Sequence, residues 1–184
     1  MCGFIGIKNF SDTDRTYFQS SLFKLFHRGP DSSGEFIDEK EKLAFLFRRL
    51  SIIDTSDLGS QPMQSSSKRY VIIFNGEIYN YKKLKEEYLG DINFITDSDT
   101  EVILEMYKKF KQSCLEYFLG MFSFVIYNKK TKKLFAARDH FGIKPFYFMK
   151  DDNKMAFASE LKTLSKLIPF SKKGTSISSI MRFQ

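Results

Sequence analysis

The sequence is poor in the residues that build disulfide frameworks and metal sites. It contains two cysteines, Cys2 and Cys114, and two histidines, His27 and His140. The cysteines do not form a Cys-x-x-Cys pair, so neither a disulfide framework nor a zinc site of that spacing is predicted. Cys114 stands in an apolar patch, and we interpret it as an inert core residue. The histidines are not spaced as a metal-binding pair, and we interpret both as structural.

Long apolar segments are also missing. No apolar stretch approaches the ~20 residues that a transmembrane helix needs. Charged residues return from Lys8 onward, before the apolar region of a secretory signal could form. With two thiols and no export signal, the sequence predicts a cytoplasmic protein that has no membrane partner.

Basic residues exceed acidic ones, which raises the question of a nucleic-acid partner. The 184 residues include 29 Lys and Arg against 22 Asp and Glu, giving a formal charge of +7 and a pI of about 9.3. The lysines are distributed over turns and predicted helix faces, with acidic residues among them, and no nucleic-acid-binding signature accompanies them. We therefore interpret the charge as a solvated surface and expect no nucleic-acid partner; a docking face for another domain is the alternative.

Length and hydrophobic patterning indicate one globular domain of the α+β class. With 42% hydrophobic and 28% charged residues, the composition is ordinary for a globular protein. Runs of β-branched and aromatic residues predict strands at 3–7, 43–53, 70–74, 121–127, 133–137, 145–149 and 155–158. Amphipathic spacing and capping residues predict helices at 17–26, at 81–89 after Asn80, after Ser98 or Asp99, and at 159–167. Because helices and strands come in runs, antiparallel sheets are favoured over βαβ units.

The N-terminal segment Met1-Cys2-Gly3 is the most informative local feature. Removal of Met1 leaves Cys2 with a free α-amine, whose pKa of ~7.7–8.0 keeps a useful fraction unprotonated at neutral pH. That amine can take the thiol proton, so one residue supplies both the nucleophile and the base. Alone the signal is weak, because a cysteine at position 2 is usually incidental.

Further motifs follow in a fixed order and strengthen this interpretation. After the segment that begins at Cys2, the chain carries His-Arg-Gly-Pro-Asp at 27–31, Arg-Leu-Ser-Ile at 49–52, Asn-Gly-Glu-Ile-Tyr-Asn at 75–80, Ser-Asp-Thr-Glu at 98–101 and Arg-Asp-His-Phe-Gly-Ile-Lys-Pro at 138–145. This series resembles the class II glutamine amidotransferases, and more narrowly the glutaminase domain of glutamine-hydrolysing asparagine synthetases. The resemblance implies an N-terminal-nucleophile hydrolase fold over residues 1–168, a four-layer αββα sandwich of two antiparallel sheets between helical layers.

The resemblance assigns catalytic roles to three residues. Cys2 is expected to attack the side-chain amide of L-glutamine and form a thioester. The side-chain amide of Asn75 and the backbone N–H of Gly76 are expected to form the oxyanion hole. Without the resemblance, Asn75-Gly76 is equally typical of a plain turn after a strand.

The resemblance also implies a set of glutamine-binding residues. Arg49 is expected to bind the α-carboxylate, a task that suits the planar guanidinium group. Asp99 is expected to pair with the α-ammonium, with help from Glu77. The other expected contacts are Arg28, Gly29, Leu50 and Ile52.

The sequence departs from the family pattern in three places. Phe47-Arg48 precede Arg49, and Asp97 precedes Ser98-Asp99, where a polar pair and a small residue are usual. The larger departure is the lack of Ser-Gly-Gly-x-Asp-Ser, the ATP-binding signature of the synthetase domain. We therefore expect no cofactor and no metal in this domain; ATP and magnesium are implied only for the missing synthetase domain.

Partners and domain limits follow from the same resemblance. Besides L-glutamine, we expect a synthetase domain or a separate synthetase subunit as partner, and the family allows a homodimer of the full-length form. Residues 169–184 are predicted to be a linker or the start of the synthetase domain, so the chain is interpreted as a fragment or one half of a split gene. Two alternatives stay open: a branch that amidates sugars or secondary metabolites, and a catalytically inactive binding relic.

Overall fold

Two antiparallel sheets lie at the centre of this computed structural model, which describes residues 1–151 and 153–167. The described residues form nine strands: β1 (Gly3–Lys8), β2 (Ser32–Asp38), β3 (Leu43–Arg49), β4 (Met63–Gln64), β5 (Tyr70–Ile78), β6 (Gly120–Asn128), β7 (Lys133–Arg138), β8 (Tyr147–Lys150) and β9 (Met155–Ala158). The α-helices are α1 (Asp12–Ser21), α2 (Tyr81–Tyr88) and α3 (Asp99–Phe110). The predicted linker at 169–184 lies outside the described residues.

The two sheets differ in the way that the chain connects their strands. The first sheet has five strands in the order β2-β3-β1-β9-β8, so strands distant in the chain are neighbours in it, whereas the second has four strands in chain order, β4-β5-β6-β7. All pairings are antiparallel; in β1, for example, Ile5 lies opposite Leu46 of β3 and Ala158 of β9. β1 is therefore an inner strand of its sheet, and Cys2 directly precedes it.

The alternation of side chains along the strands creates three apolar layers. Phe4 of β1 packs between the sheets with Phe45, Val71 and Val125, whereas its neighbours on β1 face the outer layer. That outer layer joins β1 to α1 and the segment after it through Ile5, Ile7, Phe18 and Leu25. On the far side, the second sheet packs against α2 and α3 through Ile72, Phe124, Leu84, Val102, Ile103 and Met106. This arrangement of helix, sheet, sheet and helix confirms the predicted α+β sandwich.

Several elements differ from the predicted boundaries. Helix α1 begins at Asp12, five residues before the predicted start, because Ser11 and Asp14 form a capping box. It ends at Ser21, and Leu22–Leu25 continues as a 3₁₀ turn. Strand β2 was not predicted, because its residues alternate between exposed and half-buried positions and include few apolar side chains. Strand β3 ends at Arg49 instead of Ile53.

One predicted helix cap and one predicted helix are wrong. Helix α2 begins at Tyr81 as predicted, but the Asn80 side chain does not cap it: its nitrogen donates to the Tyr117 carbonyl and its oxygen accepts the Leu119 N–H. The helix predicted from Ser159 is only a 3₁₀ turn, Leu161–Thr163, followed by turns up to residue 167. The Ser159 hydroxyl accepts the N–H of Phe4, so this side chain links the last strand to β1. Ser98 does cap α3, accepting the N–H of Thr100. Within the described segments, no helix is both long and apolar enough to cross a bilayer.

Candidate active site

A cavity of about 140 Å³ opens beside the N-terminus, where β3 and β5 approach the first turn of α3. This volume is small compared with the roughly 300–1,000 Å³ of sites for drug-sized ligands, and it suits a ligand of amino-acid size. The lining residues come from segments that are far apart in the chain: Met1, Cys2, Arg49, Leu50, Ile52, Ile53, Asp54, Gly59, Gln61, Phe74, Asn75, Gly76, Glu77, Ser98, Asp99, Thr100, Met121 and Lys144.

Cys2 lies in this cavity and is held by the backbone at the end of β3. Its Sγ lies 3.4 Å from the Leu50 nitrogen, whose N–H donates to it, and 3.5 Å from the Leu50 carbonyl oxygen. Burial raises the pKa of the thiol above its ordinary value and the charge of Asp99 adds to this, while the Leu50 N–H, the N-terminal charge and Arg49 lower it. The pKa of Cys2 is raised overall, because these three groups offset the effect of burial only in part.

Arg28 and Gly29 lie behind Cys2, not along the cavity. The Nε of Arg28 donates to the Cys2 carbonyl at 2.9 Å, and its Nη1 lies 3.3 Å from Glu160. A Cβ on Gly29 would come within 2.4 Å of the Arg48 backbone, so this turn requires glycine for a close approach. The structure thus places both residues where they hold the nucleophile segment; neither lines the cavity, and their contact with substrate stays a prediction.

Arg49 is the last residue of β3 and projects into the cavity although it is only 7% exposed. Its Nη1 donates to the Ser56 carbonyl at 2.7 Å, and its Nη2 donates to the Asp54 carbonyl. These bonds use two of the five guanidinium N–H groups and fix the orientation of the plane. Three donors remain for a ligand, and no carboxylate of the described residues pairs with this arginine.

Asn75 is 1% exposed, and its side-chain nitrogen has no hydrogen-bond partner among the described residues. A buried amide donor without a partner is costly, by roughly 1–3 kcal/mol. Because this donor lines the same cavity as Cys2, a ligand oxygen there would satisfy it.

The backbone of β5 offers a second unpaired donor at Gly76. Residues opposite each other on antiparallel strands alternate between bonded and non-bonded pairs. Phe122 lies opposite Gly76, but its carbonyl accepts the Asp139 N–H and its own N–H donates to Asp139 Oδ2. Both backbone groups of Phe122 therefore point away from Gly76. Gly76 therefore directs its N–H away from β6, toward the edge of β5 that faces the cavity.

The neighbouring positions on that edge are all occupied. Ile72 pairs with Met63 of β4, the side chain of Gln61 accepts the Phe74 N–H and donates to the Phe74 carbonyl, and the Ile78 N–H donates to Asp99 Oδ2 at 2.9 Å. Between Phe74 and Ile78, the Gly76 N–H has no partner in the part of the chain that the structure describes. A Cβ here would come within 2.3 Å of the Met121 carbonyl, so glycine is required for the close approach of β6.

Asp99 opens α3 and is 4% exposed. Burial, together with the charge of half-buried Glu77, raises its pKa from 3.8 to about 6, against the effect of the Ile78 hydrogen bond. No cation of the described residues pairs with Asp99. The carboxylate thus lies ready for a positively charged ligand group, at low cost only when such a group is present.

Leu50 and Ile52 also line the cavity, and Ile52 is 67% exposed at its mouth. The structure therefore brings eight of the ten predicted site residues to one cavity: Cys2, Arg49, Leu50, Ile52, Asn75, Gly76, Glu77 and Asp99. Within residues 1–151 and 153–167, no three His, Cys, Asp or Glu side chains form a group that could hold a metal ion.

A family model described as a glutamine amidotransferase domain matches residues 1–183 of the sequence. The chain belongs to this family.

Curated relatives of this glutamine amidotransferase domain are longer proteins. Glutamine-hydrolysing asparagine synthetase 1 of Bacillus subtilis is 47% identical over 170 residues, which cover 89% of this chain and 26% of that protein. Glutamine-hydrolysing asparagine synthetase B of Escherichia coli is 37% identical over 169 residues, covering 89% and 30%. The chain thus spans about a quarter to a third of the length of these relatives.

A solved structure shares the fold of this amidotransferase domain. The glutamine phosphoribosylpyrophosphate amidotransferase of Bacillus subtilis, complexed with ADP and GMP, superposes with a TM-score of 0.75 at 22% identity. The match covers 89% of this chain and 43% of that one. At this level of identity, the likeness shows the fold alone.

Asp54, Gln61 and Lys144 are among the cavity residues of this amidotransferase domain to which sequence reasoning assigned no role. Asp54 and Gln61 belong to a segment interpreted only as a polar loop, and their positions depend on contacts with Arg49 and Phe74 that no local pattern shows. Lys144 belongs to a quoted motif, but no role was assigned to it. A lysine between Ile143 and Pro145 was the available signal, because a charged side chain in an apolar setting needs a reason to be there.

Proposed function

We propose that this chain hydrolyses the side-chain amide of L-glutamine to glutamate and ammonia, with Cys2 as the nucleophile. The observation that carries the proposal is the sharing of one cavity by the Cys2 sulfur and two unpaired donors, the Asn75 amide and the Gly76 N–H. A nucleophile facing two unpaired donors is the arrangement that acyl-transfer chemistry requires.

The first step needs a base, which Cys2 itself supplies once Met1 is removed. In the structure the Cys2 nitrogen is part of the peptide bond to Met1, and Met1 forms part of the cavity wall. Removal of Met1 exposes the α-amine and enlarges the space beside the sulfur. The thiol proton then passes to the amine nitrogen, and the thiolate attacks the amide carbon.

The two unpaired donors act on the oxygen of the amide that is attacked. As the sulfur–carbon bond forms, the oxygen becomes negative, and the Asn75 amide and Gly76 N–H donate to it. The protonated α-amine returns its proton to the leaving nitrogen, the carbon–nitrogen bond breaks, and ammonia departs. Water then gives a proton to the neutral α-amine and attacks the thioester carbon, and the second oxyanion is held by the same two donors. As that intermediate collapses, the carbon–sulfur bond breaks, glutamate leaves, and the thiolate takes the proton back from the amine.

The rest of the cavity matches the two charges of a free amino acid. The three unused donors of Arg49 suit the α-carboxylate, whereas Asp99 and Glu77 suit the α-ammonium. An ammonium beside Asp99 offsets the cost of keeping that carboxylate ionised. Leu50 and Ile52 supply the apolar contacts at the wall and mouth, and Arg28 with Gly29 holds Cys2 from behind.

We further propose that the ammonia serves a synthetase domain or subunit that amidates a carboxylate, with aspartate as the first candidate. The support is the family of the curated relatives, which are asparagine synthetases. ATP and magnesium would be needed by that partner, and hydrolysis in this domain proceeds without a cofactor. Two free cysteines suit a cytoplasmic location, and a homodimer of the full-length form completes the proposal.

The test compares chains that differ only at the N-terminus. Purified chain with Cys2 as the first residue, verified by mass spectrometry, is expected to release ammonia from glutamine. A matched chain that retains one extra residue before Cys2 should show background release, because its Cys2 nitrogen is an amide. Titration calorimetry with glutamine runs beside the assay. Glutamine binding without ammonia release from the processed chain would support the inactive relic, and equal rates from the two chains would refute the mechanism.

A further inference from the structure

Lys144 is a buried lysine beside the nucleophile for which the reaction described above has no use. It is 4% exposed, lies in the turn between β7 and β8, and lines the cavity that contains Cys2. Its backbone N–H donates to Asp139 Oδ2 at 3.0 Å, which fixes the position of the residue. Burying an ammonium group is expensive unless a partner compensates.

The ammonium group of Lys144 lacks the usual compensation. In the described residues no carboxylate oxygen lies within salt-bridge distance of its nitrogen, and its contact is the Met1 sulfur at 3.1 Å. A thioether is a weak acceptor. Because this contact is made to the residue joined to Cys2, removal of Met1 leaves the ammonium facing the new N-terminus.

We propose that Lys144 is a positioning residue for the Cys2 nucleophile: its ammonium group favours the thiolate and disfavours protonation of the neighbouring α-amine. The inference rests on the proposed function of Cys2. In the step concerned, a single proton passes from the thiol sulfur to the amine nitrogen, and no other bond changes. A fixed positive charge stabilises the sulfur anion, and it also keeps the amine neutral until the proton is transferred.

The electrostatics of the N-terminal amine and of Lys144 agree with this geometry. Burial lowers the pKa of the N-terminal amine, and the charges of Arg28 and Lys144 lower it further, whereas Cys2 raises it. Burial and Arg28 also lower the pKa of Lys144, while Cys2 raises it. The other charged groups that act on these sites are Arg49, Asp31, Glu77, Asp99 and Asp139. Lys144 shares the cavity with Cys2, whereas Arg28 is partly neutralised by Glu160.

The test measures thiol ionisation directly. Processed full chain with Lys144→Met, Lys144→Gln or Lys144→Arg is compared with wild type and with Lys130→Met, a control lysine in the exposed turn between β6 and β7. Cys2 alkylation by iodoacetamide is followed from pH 5 to 10, with mass spectrometry to locate the label. Thermal unfolding of each variant verifies that it folds.

We expect the alkylation midpoint of Cys2 to rise by about half to one pH unit in Lys144→Met and Lys144→Gln, roughly 3–10-fold slower labelling near neutral pH. Lys144→Arg and Lys130→Met should keep the wild-type midpoint. The acidic limb of kcat/KM for ammonia release should move in the same direction.

The outcomes separate this inference from the proposed function. Unmoved midpoints in folded Lys144→Met and Lys144→Gln, in a chain that releases ammonia normally, would overturn the role of Lys144 and leave the glutaminase function standing. A moved midpoint in a chain that never releases ammonia would support the electrostatic role while removing the glutaminase function. A loss of activity in Lys144→Arg equal to that in Lys144→Met, with no change in midpoint, would show that the side chain fills space only.

Discussion

Cys2 and Cys114 are the same side chain in two contrasting regions of one fold. Cys114 is fully buried in the apolar layer between the second sheet and α3, and burial raises its pKa to about 12. Cys2 is also largely enclosed, but a backbone N–H, the N-terminal charge and Arg49 oppose the effect of burial on its pKa. The comparison teaches that reactivity here is determined by neighbouring charges and donors, and not by exposure alone.

The same contrast runs along α3, which joins the two regions. Its first residue, Asp99, is a buried carboxylate without a cation, whereas Val102, Ile103 and Met106 pack in the layer that contains Cys114. The apolar side chains of the core region pack against one another. The cavity, in contrast, contains the unpaired side-chain amide of Asn75, the unpaired N–H of Gly76 and the carboxylate of Asp99, which has no cation beside it. Such unfavourable groups are typical of sites that a ligand completes.

Replacement of each cysteine by alanine is expected to give the largest difference in ammonia release between the two regions. We expect Cys2→Ala to reduce ammonia release to background, because no other residue of the cavity can form the thioester. The matched variant Cys114→Ala should retain wild-type release. Both are measured by a coupled glutamate assay on processed chains, and ammonia release by Cys2→Ala above background would remove the basis of the comparison.

Removal of the unpaired amide has the next largest effect. Asn75→Ala should lower kcat by roughly 10²–10³ while the pH profile of Cys2 alkylation stays unchanged, because the amide acts on the oxyanion and not on the thiol. The stability of the folded chain should not fall, since the amide has no partner to lose. A shifted alkylation profile would show that Asn75 acts through the sulfur instead.

Neutralisation of Asp99 sharpens the contrast within α3. Its native pKa of about 6 lies above the ordinary 3.8, so protonation favours the native state, and stability rises as pH falls from above 6 toward 4. The ionised carboxylate therefore costs up to roughly 3 kcal/mol at pH 8. Asp99→Asn should raise the unfolding free energy at pH 8 by up to that amount and leave it nearly unchanged at pH 4, as urea titrations can measure.

The same variant should lose affinity for glutamine. We expect Asp99→Asn to raise KM far more than it lowers kcat, because the proposed contact of the carboxylate with the α-ammonium would be made in the ground and transition states alike. A variant that is more stable but binds substrate poorly would identify Asp99 as a binding residue. An unchanged KM would instead indicate that Asp99 serves only to begin the helix.

The smallest effect is expected in the core. Cys114→Ala should lower the unfolding free energy by roughly 1–2 kcal/mol, since the side chain is buried and its removal leaves a small void. Native Cys114 should resist iodoacetamide at pH 8 while Cys2 is labelled. Labelling of Cys114 at a rate similar to that of Cys2 would contradict the assignment of the two regions.

The residues in regular, buried elements were predictable, and those whose structure depends on distant contacts were not. Apolar runs predicted β1, β6, β7 and β9 within a residue or two, because buried strand positions are marked by apolar and β-branched residues. Strands β2 and β7 are both edges of their sheets, but β2 was missed because its sequence is mostly polar and none of its residues is fully buried. The helix predicted from Ser159 is absent from the described residues, since that hydroxyl is used to bond the Phe4 N–H.

The candidate site shows the same division. The motif order identified Cys2, Arg49, Asn75 and Asp99, whose gathering in one cavity the structure now describes; their individual roles stay predictions. Sequence could not reveal that the Asn75 amide is unpaired or that the edge of β5 is open at Gly76, because both depend on the way in which other strands end. The surroundings of Lys144 were hidden for the same reason.

The side chain of Gln61 has a consequence that reaches beyond its own hydrogen bonds. Met63 pairs with Ile72, so position 61 is in register with Phe74, two residues before β4 begins. There the Gln61 side chain bonds both backbone groups of Phe74. A longer β4 would extend the hydrogen-bonded ladder along β5 toward Gly76, and the Gly76 N–H would then pair with β4. Whether the Gly76 N–H is available to a ligand therefore depends on the length of β4. Substitutions at 61–64 can expose or block this donor although they do not contact the substrate.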